Sequence, residues 1–163
     1  MMYYSASMNT LDESLMNAVK EGKLLESSRT NIRLLLDGTE SPIAREAVEE
    51  LAAAGEWQEL NDRFYKTLAF GTGGLRGRTI GSIVTRAEQG NGGVNGRPEY
   101  PCVGTACMNY FNVGRAMRGL IIYVNKHVEA TDPGRKPRLV IGHDTRHFSR
   151  DFAEFCAKIG TDL

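Results

Sequence analysis

The sequence predicts an α/β fold with a helical N-terminal segment. Three observations lead there. Residues 1–66 carry helix signals, residues 79–160 alternate between strand and helix signals, and the two regimes meet at a glycine-rich stretch beginning at Gly71. Alternation of that kind places helices against a sheet. The length of 163 residues, with 41% hydrophobic and 25% charged residues, suits a globular chain with a real core.

In chain order, Thr10-Leu-Asp-Glu13 reads as a capping box opening a first helix. Leu15, Met16, Val19 and Leu24 form a loose apolar stripe behind it. Ser41-Pro42 reads as an N-cap followed by proline at the first helical position, and Gly55 as the stop. Trp57, Leu60 and Phe64 share one helical face, with Trp57 expected as a packing anchor.

The texture changes at Leu68. Thr79 to Thr85 reads as a strand, and residues 88–98, rich in glycine and asparagine, as a mobile loop without a regular element. Much of the glycine excess lies there: the chain has 18 glycines, above the usual share of about 7%. From Asn109 to His127 a helix is expected, its buried stripe being Val113, Met117, Leu120, Ile121 and Val124. Thr131-Asp-Pro-Gly134 is a turn. Arg138 to Gly142 reads as a buried strand, because it is a short apolar run between polar segments. Ser149 opens a last helix with Phe152, Phe155, Cys156 and Ile159 on its apolar face and Gly160 as its stop.

Composition excludes several classes. Twenty basic residues balance twenty acidic ones, so no strongly basic nucleic-acid binder is expected. The first ten residues lack the basic and apolar regions of a secretory signal, and no apolar run approaches the roughly 18 residues a membrane span needs. Three cysteines without a signal peptide fit a reducing compartment. The expectation is a soluble, cytoplasmic protein without nucleic-acid or membrane partners. Cys102 and Cys107 have no second pair, which argues against a zinc site.

Two stretches can carry chemistry. In Gly71-Thr-Gly-Gly-Leu-Arg-Gly-Arg78, bare backbone amides can approach an anion and Arg76 adds a forked charge. It is neither a dinucleotide fingerprint nor a Walker loop, and a purely structural turn remains an alternative. In Gly142-His-Asp-Thr-Arg-His-Phe-Ser149, a polar turn joins the expected strand to the expected helix, where ligands gather in open α/β sheets. Asp144 can instead lock Arg146, or a neighbouring loop, by a charge-assisted bond. His143 and His147 are spaced as metal ligands are on a helix, but this stretch is a turn.

Together these segments resemble the N-terminal part of the α-D-phosphohexomutases, the phosphoglucomutases and phosphomannomutases. The resemblance rests on Leu68-Ala-Phe-Gly-Thr-Gly-Gly-Leu-Arg-Gly77, the long helix after it, and Leu139-Val-Ile-Gly-His-Asp-Thr-Arg-His-Phe-Ser-Arg-Asp-Phe-Ala153. The first motif most resembles the phosphoglucomutase and phosphopentomutase-like branch. The resemblance implies a helical extension over 1–66 and an incomplete three-layer α/β/α domain I over 67–163. It implies phosphoryl transfer on a sugar phosphate from an enzyme phosphoserine, with Mg²⁺ at that serine.

Residue by residue, Thr72, Gly74 and Arg76 map to the loop facing the phosphoserine region. Asp144 and Arg146 map to the active-site wall, Arg146 more as a structural than a phosphate-binding group. The family's Thr-Ala-Ser-His-Asn-Pro loop and its Asp-x-Asp-x-Asp-Arg metal loop do not occur in the sequence, and no serine is followed by histidine. The expectation is therefore an N-terminal fragment, inactive alone and holding no Mg²⁺ itself. A phosphosugar-binding module without chemistry, or a chain that self-associates through an uncovered sheet edge, are the other readings.

Overall fold

The structure, a computed structural model, describes residues 2–71 and 73–162. It divides into two compact units, 1–108 and 109–163. The stretch 67–108 thus packs with the N-terminal helices.

The first unit is built on α1 (Met2–Lys20), α2 (Glu26–Asp37), α3 (Pro42–Ala53) and α4 (Trp57–Phe64), with the single-turn α5 (Arg86–Gln89) further on. Leu11, Leu15 and Ala18 of α1, Ile32 and Leu35 of α2, Ala47, Val48 and Leu51 of α3, and Leu60 and Phe64 of α4 are buried. These positions recur at helical spacing, which is why each segment folds as a helix with one apolar face. Burying Leu60 or Phe64 contributes about 1.5–3 kcal/mol each. Trp57, the expected anchor, is only half-buried.

Thr10 lies inside α1 rather than at its start, so the capping box expected there does not form. Gly55 does end α3: it adopts φ +73°, and the amides of Gly55 and Glu56 reach back to the carbonyls of Ala52 and Leu51. The turn after α1 is held by Asn61, which donates from Nδ2 to the Lys23 carbonyl at 2.9 Å and accepts the Leu25 amide at 2.9 Å.

The second unit pairs α6 (Tyr110–Thr131) with α7 (Ser149–Asp162). Asn109 caps α6 by accepting the Asn112 amide at 3.1 Å. Val113, Met117 and Ile121 are buried as expected, whereas Leu120 is exposed and Val124 half-buried. Against them lie Phe152 and Ile159, with Phe155 and Cys156 half-buried. Tyr110 meets Phe152 and Phe155 edge-on at 5.4 and 5.1 Å between ring centres. Gly114 permits this approach, since a Cβ there would stand 3.1 Å from the Phe155 ring. Gly160 lies within α7 and does not end it.

The α/β expectation is overturned. Among the described residues there is no β-strand or sheet, and hence no three-layer α/β/α domain and no sheet edge; a single isolated bridge joins Gly71 and Gly74. A strand exists only through a ladder partner. In 79–85 the backbone is taken up otherwise: the Thr79 carbonyl accepts the Cys102 amide, the Ile83 carbonyl accepts Arg63, and Thr85 caps α5.

The second expected strand, 138–142, is likewise irregular and exposed rather than buried. Leu139 and Ile141 line a groove of about 340 Å³ with Met117, Ile121 and Pro137, while Val140 is fully exposed. The glycine-rich stretch 88–98 is less irregular than expected. It includes the end of α5 and a 3₁₀ turn at Val94–Gly96, and Glu99 accepts the Asn91 amide at 2.8 Å.

Candidate functional site

Gly71 and Gly74 exchange both backbone hydrogen bonds, at 3.2 and 3.3 Å, closing a tight hairpin. Gly73 and Gly74 adopt φ +84° and +137°, which side-chain-bearing residues rarely do. Arg76 is exposed and folds back over this hairpin, its Nη2 3.8 Å from where a Gly73 Cβ would stand. Among the described residues no carboxylate pairs with Arg76. Thr72, also expected in this loop, lies outside the described residues.

The loop is fixed from behind. A Cβ on Gly77 would come within 2.9 Å of the Ala106 carbonyl oxygen and 3.0 Å of the Met108 amide. Backbone therefore packs directly on backbone there. The Met108 amide donates to the Arg78 carbonyl at 2.9 Å. Arg78, unlike Arg76, is committed: it lies 3.2 Å from Glu59 and donates to Ser82 at 2.9 Å.

Beneath lies a buried ion cluster that the sequence reading did not single out. Arg63 is completely buried at the C-terminal end of α4. Its Nε donates to Glu59 at 2.7 Å, its Nη1 to Glu88 at 2.5 Å and to the Val103 carbonyl at 3.3 Å, and its Nη2 to the Ile83 carbonyl. Burial opposes the Arg63 charge, yet Cys102 and the Glu88 and Glu59 carboxylates hold its pKa above the ordinary arginine value.

Glu88 in turn accepts the Val103 amide at 2.7 Å and the Thr85 amide at 3.0 Å, while the Thr85 hydroxyl accepts the Glu88 amide at 3.2 Å. That is a full capping box. With Nη2 also donating to Glu88 Oε2 at 3.3 Å, all five donors of the buried guanidinium find acceptors, the condition under which burying charge is tolerated. Two local signals pointed here: Glu59 and Arg63 at i, i+4, and the Thr-x-x-Glu spacing of Thr85 and Glu88.

In the second unit, Asp144 and Arg146 lock each other. The Arg146 amide donates to Asp144 Oδ1 at 3.0 Å, its Nε to Oδ2 at 2.8 Å, and its Nη2 reaches Oδ2 at 2.8 Å. The Asp144 amide donates to Ser149 Oγ at 3.1 Å. These bonds, led by the Arg146 guanidinium, pull the Asp144 carboxyl down to about 2. Of the readings open for Asp144, the structure shows the locking of Arg146.

His143 turns its Nδ1 toward the Asp144 carbonyl at 3.3 Å. Among the described residues no group of three or more His, Cys, Asp or Glu side chains could hold a metal ion. No helix among the described residues is long and apolar enough to cross a membrane.

No protein-family model, curated protein or solved structure matches the chain.

Proposed function

We propose that this chain forms the N-terminal segment of a phosphoglucomutase/phosphomannomutase-type enzyme, and that its Gly71–Arg78 loop takes a phosphoryl group of a sugar phosphate. The observation that carries the reading is the pose of Arg76. It is an exposed guanidinium without a carboxylate partner among the described residues, its Nη2 standing close to Gly73 beside the Gly71–Gly74 bridge. A forked guanidinium beside accessible backbone suits phosphate oxygens.

Two other arginines are already committed. Arg78 is neutralised by Glu59 and so serves the scaffold. Arg146 is neutralised by Asp144, which suits a wall-forming role better than phosphate capture. The sequence contains no Ser-His-Asn loop to carry a phosphoryl group, so these residues alone supply binding and not turnover.

Titration with glucose 1-phosphate, followed through the backbone amide resonances of residues 73–78, tests the reading. Saturable shifts confined to that loop are expected in the native chain and their loss in Arg76→Ala. Resonances that stay unmoved at millimolar ligand contradict it.

A further inference from the structure

We propose that Cys102 and Cys107 are a reversible dithiol–disulfide pair whose closure locks the loop supporting the Arg76 segment. Their sulfurs stand 3.3 Å apart, in mutual hydrogen-bond contact and buried. A disulfide needs about 2.05 Å, so bond formation asks for a shift of little more than an ångström.

The loop is tied to two segments at once, the end of α4 at Arg63 and the stretch Arg78–Thr79. The Cys102 amide donates to the Thr79 carbonyl, the Ala106 amide to the Arg63 carbonyl and the Met108 amide to the Arg78 carbonyl, at 2.8, 2.9 and 2.9 Å. Gly104 allows the closest approach: a Cβ there would lie 2.6 Å from the Arg63 carbonyl oxygen and 3.0 Å from Cys107 Sγ. The same loop backs onto Gly77, one residue from Arg76. Any cross-link within it therefore stiffens the base of the Arg76 loop.

The pair is also electronically asymmetric. The Cys102 hydrogen bond, with the charges of Arg63 and Arg78 behind it, favours the thiolate at Cys107 despite burial, while the same bond and burial keep Cys102 a thiol. That asymmetry favours Cys107 as the attacking sulfur.

The oxidant is a small-molecule disulfide such as oxidised glutathione. The Cys107 thiolate attacks one of its sulfurs, breaking the S–S bond and releasing one thiolate, which takes up a proton. Cys102 then gives up its proton and attacks Cys107 Sγ, expelling the second small thiol. Two protein thiols lose two electrons and two protons, and one small disulfide becomes two thiols. Because both sulfurs are buried, exchange proceeds from the open loop, and closure retains the product.

The test incubates the native chain in glutathione buffers of rising oxidised fraction, quenches with acid, and maps thiols by mass spectrometry. The expected product is a peptide joined between Cys102 and Cys107, two hydrogens lighter than its reduced form, reversed by dithiothreitol. It forms equally in Cys156→Ala and not in Cys102→Ala or Cys107→Ala. Amide exchange at Ala106 and Met108 slows by roughly tenfold or more in the cross-linked chain, the scale of a short-loop cross-link.

If the single-cysteine variants fail to fold, the wild-type and Cys156→Ala maps decide alone. Two results overturn the proposal: both thiols staying reduced in fully oxidised glutathione while Cys156 reacts, or Cys102 and Cys107 each carrying its own glutathione. This pairing does not depend on what the Arg76 loop binds.

Discussion

Arg63 and Glu88, 25 positions apart in the chain, form a completely buried ion pair with Nη1 and Oε1 2.5 Å apart. The pair joins α4 to α5, and through the Val103 amide and carbonyl it also holds the cysteine loop. The support of the Arg76 segment thus hangs on one charge cluster.

Removing one partner leaves the other buried and uncompensated. Arg63→Met is expected to cost about 3–5 kcal/mol. Urea unfolding followed by circular dichroism reads this directly. A loss below about 1 kcal/mol would show that the cluster contributes little net stability.

Thr85→Ala removes the hydroxyl that both caps α5 and bonds the Glu88 carboxylate. A loss of about 1–2 kcal/mol is expected, with Thr85→Ser recovering most of it. Thermal unfolding of the two variants side by side makes the comparison.

Gly104→Ala pushes a methyl against the Arg63 backbone carbonyl, which cannot swing aside as a flexible side chain can. Overpacking of this kind costs about 1–3 kcal/mol. Gly119→Ala is the control, since nothing stands within 4 Å of a Cβ there. Equal melting temperatures for the two variants would refute the close approach.

Asp144 carries a pH dependence of known sign. Its carboxyl lies near 2 in the folded chain, against about 3.9 for an unperturbed aspartate. Its contribution is therefore fully present above the unfolded value and lost as pH falls through the folded one. The turn around Arg146 is expected to hold at pH 4 and open below about pH 2. A carboxyl carbon resonance titrating near 4 would contradict the lock.

The helices were readable and the lack of a sheet among the described residues was not, for one physical reason. Helix signals are local. Val113, Met117 and Ile121 betray a buried face by spacing alone, as do Leu60 and Phe64, and Asn109 betrays its cap. The helix Glu26–Asp37 starts from Leu25, which makes no side-chain cap, so only Ile32 and Leu35 on one face betray it.

A strand instead depends on a partner elsewhere. Leu139-Val140-Ile141 has strand composition, yet no ladder meets it among the described residues. In the site, the glycines and Arg76 stood out by composition. The Arg63–Glu88 pair and the packing of Gly77 on Ala106 stayed hidden, because both join residues far apart in sequence.

The proposed phosphoryl contact of Arg76 is tested by isothermal calorimetry with glucose 1-phosphate on the native chain, Arg76→Lys and Arg76→Ala. A charged hydrogen-bond donor of this kind is worth about 1.5–3 kcal/mol, so Arg76→Ala is predicted to weaken binding by about tenfold or more. Arg76→Lys should fall between the two, and the melting temperature should stay unchanged because the side chain is exposed. Equal affinity in all three proteins, or no binding by the native chain, would contradict the account.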